Sequence, residues 1–407
     1  TSVANGTLVL NGGSINAAAN VLEVGTTQGA AGVLTMLNGA SVTVSQVLIA
    51  GKGNNASAGD SGTVSLADGS INTTGANAWI RIGSGSTNAN TVSGTLTLSG
   101  ANTYGGTTTV NSGTLALGNN NVTKDSSAIT VAGGTLAIGD FSDTVGAVTL
   151  SSGSITGANG TLSGSSYSIT NAAGNSTISA KLGGAGTLTK TGAGNLTMSG
   201  NNTYTGTTTL TAGTVIVDSN SSFGSGGTVV LNGSILQANG SHTSGNPVSL
   251  AANSTISGNS DLAISGALTQ TGTNLTLTVN NSATTTLSGD VALSNNATAH
   301  ILTVTGTGNT TIGGNISNGS TSVSGITKAG SGTLSLSGTN NFTGAVAVSA
   351  GTLSLSGGNA LADTVNLTLS ATGALTLNAS ETVGSLTGVA ANTITLSGGV
   401  IDQASSN

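Results

Sequence analysis

The sequence predicts an all-β chain, wound as a β-solenoid and drawn out as a rod, with no helical domain. Three observations carry this expectation. Apolar residues recur at every second position in short bursts, the bursts belong to units that repeat along the chain, and the charged residues that favour helices are almost missing.

The bursts come first. Leu8-Val9-Leu10, Val33-Leu34-Thr35-Met36, Thr95-Leu96-Thr97-Leu98 and Leu275-Thr276-Leu277-Thr278-Val279 alternate or run apolar, and Gly, Asn or Ser then breaks them. That is the signature of short half-buried strands, with Gly and Asn supplying the tight corners. Leu, Val and Ile are expected to point inward, and Thr, Ser and Asn outward. Of 407 residues, 66 are Gly, 57 Ser, 69 Thr and 43 Asn, more than half the chain, while only 4% are charged. An average domain has about 25% charged residues.

This composition excludes several classes. The six basic residues, Lys52, Arg81, Lys124, Lys181, Lys190 and Lys328, are scattered and the net charge is −6, so nothing marks a nucleic-acid interface. Without Cys there is no disulfide framework and no thiolate metal site. No apolar run is long enough for a helix to span a bilayer, so no membrane insertion by this segment is expected. The chain opens at Thr1 in mid-pattern, without initiator Met or leader, and reads as a processed protein or a fragment.

The repeats are of two kinds. In residues 1–93 a shorter unit recurs: Gly6-Thr7-Leu8-Val9-Leu10-Asn11-Gly12, Gly32-Val33-Leu34-Thr35-Met36-Leu37-Asn38-Gly39 and Gly62-Thr63-Val64-Ser65-Leu66-Ala67-Asp68-Gly69. A longer unit occurs three times: GTLTLSGANTYGGTTTVNSGTLAL at 94–117, GNLTMSGNNTYTGTTTLTAGTVIV at 194–217 and GTLSLSGTNNFTGAVAVSAGTLSL at 332–355. Each copy has an aromatic at one place (Tyr104, Tyr204, Phe342), Asn two residues before it (Asn102, Asn202, Asn340) and Gly two residues after it (Gly106, Gly206, Gly344). The aromatics are expected to fill a corner of the core. Each coil cannot bury its own apolar face, so stacked coils share one core. At ~20 residues per coil and a strand spacing of ~4.8 Å, residues 1–407 would make one continuous solenoid about 100 Å long.

The longer unit resembles the passenger-associated transport repeat, also called the autotransporter-associated β-strand repeat. The residues that carry the resemblance are the lead-ins Lys190-x-Gly192-x-Gly194 and Lys328-x-Gly330-x-Gly332, the Ser-Gly-x-Asn-x-aromatic-x-Gly run, and the closing Ala212-Gly213-Thr214 and Ala350-Gly351-Thr352. The first copy lacks the Lys and closes with Ser112-Gly113-Thr114. On this resemblance the repeats cover 94–117, 182–217 and 326–355, and 1–93 holds shorter passenger-type repeats. It implies a right-handed parallel β-helix, extracellular or on the cell surface of a Gram-negative bacterium.

Residues with the look of chemistry are few. Gly59-Asp60-Ser61-Gly62 matches the GDSG of trypsin-like proteases, but no His precedes it, and His242 and His300 lie far downstream. Asp140 and Asp143 are the nearest acidic pair, with Lys124 and Asp125 about a coil earlier; they read as a solvated turn rather than a glycosidase pair. Thr107-Thr108-Thr109, Thr207-Thr208-Thr209 and Thr284-Thr285-Thr286 would suit an ice-binding face only if they came on nearly every coil. No catalytic residue, metal ligand or cofactor is expected. The function expected is non-enzymatic and structural: near-neutral faces that associate with further copies into a fibre, stalk or matrix. The alternative is a monomeric adhesin holding a glycan or host surface, with a ligand patch at Trp79 and Arg81.

Overall fold

The computed structural model describes residues 2–3, 6–11, 14–24, 31–37, 41–49, 61–66, 70–73, 79–82, 93–102, 106–389 and 391–404. These contain strands and turns and no helix, and the parallel strands form about 15 turns of β-solenoid. The chain divides into two compact units, Thr1–Gly206 and Thr207–Asn407.

In the first unit, aliphatic residues from successive coils stand in register. One column runs Leu8, Leu34, Val64, Leu96, Leu115, Leu136, Ile155, Ile178, Met198. Its members are 26 to 32 residues apart as far as Leu96 and 19 to 23 apart from there on. A second column runs Val110, Val131, Leu150, Ile169 and Lys190. Parallel pairing lets each backbone bond to the coil on either side, while the alternate side chains of each strand meet inside.

The second unit is built the same way. Ile264, Leu287, Ile312, Leu336, Leu355, Leu377 and Leu396 stand in one column, 19 to 25 residues apart. Beside it run Leu277, Val304, Lys328, Val348 and Leu369.

The inward-aliphatic, outward-hydroxyl rule is not strict. Thr108, Thr208, Thr285 and Thr310 are buried. Thr108 stands between Ile80 and Ile129 in the ladder, so its neighbours' register turns it inward. The centre of each Thr triplet thus faces the core.

The columns predict a sharp contrast. Leu136→Ala should cost about 2–5 kcal/mol of unfolding free energy, whereas its outward neighbour Thr135→Ala should stay within about 0.5 kcal/mol. Urea midpoints of the two variants check this; equal midpoints would remove Leu136 from the core.

Candidate functional site

The repeat motif builds one corner of the coil, where strand pairing is interrupted and backbone groups need other partners. The motif asparagines supply them. Asn340 Oδ1 accepts the Ile316 N–H of the preceding coil (2.7 Å), and its Nδ2 donates to the Ala360 carbonyl of the following one (2.7 Å). Asn202 Oδ1 accepts the Leu182 N–H at 2.8 Å. Asn102 Nδ2 donates to the carbonyls of Gly100 (2.7 Å) and Val122 (2.9 Å). Asn suits the place because one amide both donates and accepts. All three side chains are buried.

The aromatics close the corner from inside. Tyr204 and Phe342 are fully buried, and the Tyr204 ring lies 5.9 Å from that of Tyr167 at 51°. Tyr167 Oη accepts the Gly164 N–H and lies 2.7 Å from the carbonyls of Leu162 and Gly183. Burial pushes its phenol up to about 12. Tyr104 lies outside the described residues. Gly106 follows it, half-buried, on the turn before the strand Thr108–Val110. At Gly206 and Gly344 a Cβ would stand 2.3 Å from the carbonyl oxygens of Gly186 and Ser324, so the close approach of the neighbouring coil requires glycine there.

Two lysines reach this architecture from inside. Lys328, 2% exposed, lays its stem in an aliphatic column and donates from Nζ to the carbonyls of Ala329 (2.5 Å), Gly330 (2.8 Å) and Ala350 (3.2 Å). Burial pushes its ammonium down to about 8. Gly351, at φ +69°, gives the ammonium room, since a Cβ there would come within 2.8 Å of Nζ. Lys190 is likewise buried, donates to the Gly192 carbonyl, and has its pKa lowered by burial.

Asp140 and Asp143 part company. Asp140 is exposed and accepts from Asn159 Nδ2 at 2.7 Å. Asp143, expected in a solvated turn, is only 2% exposed. It stands in register with Leu162 and, one coil on, Leu182, and accepts the Thr123 N–H at 3.0 Å. It therefore fills the corner that Asn fills elsewhere. Desolvation raises its pKa from 3.8 to about 6, against the lowering effect of hydrogen bonds from Thr123 and its neighbours. Glu381, which no sequence motif marks, does the same in the second unit. Its carboxylate accepts the N–H groups of Ala360 and Leu361, both at 2.9 Å, and burial raises its pKa.

His300 is fully buried with neither ring nitrogen bonded, while His242 sits at the surface, 3.9 Å from Asp218. No group of three or more His, Asp or Glu among the described residues could hold a metal ion. Trp79 and Arg81 fall on the strand Trp79–Ile82, but their side chains lie outside the described residues. Asp60 of the GDSG run also lies outside them.

Two pH dependences follow. Asp143 is protonated in the folded chain up to about pH 6 but only to about pH 4 when unfolded. Its contribution to stability is therefore full below pH 4 and is lost as pH rises towards 6. Asp143→Asn should raise the thermal midpoint at pH 7 and leave it nearly unchanged at pH 4. Lys328 has the opposite sense. The folded chain sheds its proton near pH 8 and the unfolded one near 10.5, so stability should climb across that window, and Lys328→Met should make the climb shallower. Thermal scans at pH 4, 7, 8 and 10.5 read both.

The passenger-associated-transport-repeat family matches the chain at residues 93–117, 184–217 and 326–355. No curated protein and no solved structure matches it. The three matches contain all the motif asparagines, the aromatics and both buried lysines, and on a parallel β-solenoid they fit the passenger β-helix of an autotransporter.

Proposed function

We propose that this chain is a non-enzymatic structural protein of the cell exterior, whose coils associate with further copies into a fibre, stalk or matrix. One observation carries the reading: uncharged hydroxyl columns on consecutive coils. In the first unit Thr95, Thr114, Thr135, Ser154, Thr177 and Thr197 stand in register, all partly exposed. In the second, Thr286, Thr311, Ser335, Ser354, Thr376 and Thr395 do the same. The regularity comes from register rather than from the Thr triplets, which contribute only Thr286.

A partner for such a column needs donors and acceptors at the strand spacing of about 4.8 Å, and a second copy has that spacing by construction. Charge is what normally keeps β surfaces apart, and these columns contain none. The passenger repeats support an extracellular or cell-surface location in a Gram-negative bacterium.

Electron microscopy of the native chain at neutral pH tests the proposal. Fibres or sheets are expected, and the triple variant Thr114→Lys, Thr135→Lys, Ser154→Lys should disperse them while keeping its β circular dichroism. Native material that stays as single particles at high concentration would overturn it.

A further inference from the structure

Beside the corner of the second repeat, a groove of about 290 Å³ crosses three successive coils of the first unit. Asn159 lines it from one coil, Ser179 and Lys181 from the next, and Ser199 and Asn201 from the third. Ligand pockets run from about 300 to 1,000 Å³, so this one has room for a single ring. Its lining is amide and hydroxyl with one ammonium.

That ammonium stands out. Lys190 and Lys328 are buried among carbonyls, so Lys124 and Lys181 are the lysines that reach the surface among residues whose side chains are described. The Lys181 ammonium has no hydrogen-bond or ion-pair partner among the described residues. Asp140, on the preceding coil, is engaged by Asn159 Nδ2, which leaves the Asn159 carbonyl as an acceptor. The shallower cleft at Ser317, Asn318 and Asn341 differs: it carries no charge, and Asn318 Oδ1 already accepts the N–H groups of Ser324 and Thr343.

We propose that the Lys181 groove binds one ring of an acidic polysaccharide. Lys181 takes the sugar carboxylate, and Asn159, Ser179 and Ser199 take ring hydroxyls. A lone ammonium is a point charge that asks for no forked partner, and one carboxylate per ring matches it in charge. Amides and hydroxyls both donate and accept, as ring hydroxyls do. One ring in an open groove is held weakly, and a polymer presents many equivalent rings to each groove. The inference is independent of whether copies associate with each other, because it is read as binding per chain.

The test measures binding of the full chain to polygalacturonate, with neutral dextran and dextran sulfate as comparators. Polygalacturonate should bind best, and added salt should weaken it. Lys181→Ala and Lys181→Gln should each lower affinity about two- to five-fold, Lys181→Glu should abolish it, and Lys124→Ala should leave it unchanged. The thermal midpoints of the Lys181 variants confirm that they fold. Equal binding of dextran, tighter binding of dextran sulfate, or unchanged binding by Lys181→Glu would each overturn the proposal.

Discussion

In-register stacking of coils is the constraint on which everything else rests. Each strand lends its backbone to the coil before and the coil after, and the side chains follow that register. Where the ladder runs, the inward positions need only be aliphatic. Where it breaks, at the corner, the backbone groups must still be satisfied. Asn102, Asn202 and Asn340 meet that need with a side-chain amide, and neighbouring glycines let the backbones approach closely enough for it to reach.

The same constraint explains where this sparsely charged chain keeps its ionisable groups. Asp143 and Glu381 are buried at the asparagine corner, and Lys190 and Lys328 at the turn before the strand that leads to it, each bonded to backbone groups. A carboxylate offers acceptors only, so it fits where N–H groups point in; an ammonium offers donors only, so it fits where carbonyls converge. Burying a charge is costly, and these four groups shift their proton affinity accordingly.

Much of this is legible in the sequence. The alternation around Leu96, Leu115 and Leu334 marks the columns, and the spacing of Asn, aromatic and Gly marks the corner. What a local stretch of sequence does not carry is the identity of its neighbours one coil away. Asp143 looks like part of an exposed acidic turn because its local neighbours are Phe141, Ser142 and Asp140. Its burial comes from Thr123, twenty residues earlier, and from Leu162, nineteen later. Lys190 and Lys328 are visibly equivalent in sequence, but nothing local says that their stems stand in aliphatic columns, beside Ile169 and between Val304 and Val348. The Thr triplets suggest an outward face, yet Thr108 and Thr208 turn inward with their columns.

The uneven length of the coils has an evolutionary consequence. The column from Leu8 to Met198 stays unbroken although its turns take anywhere from 19 to 32 residues. Some extra residues are absorbed inside paired strands by register shifts, as between Ala17 and Val21 and between Ala132 and Thr135, and others between strands, where loop length costs little free energy. Insertions and deletions in those connections are thus nearly invisible to the core, whereas a single residue gained within a strand, unless a bulge takes it up, would reverse inside and outside for the rest of that strand. Lineages of such a chain should therefore diverge in length at the turns while conserving strand length, and the turns are the natural places to graft foreign peptides for display.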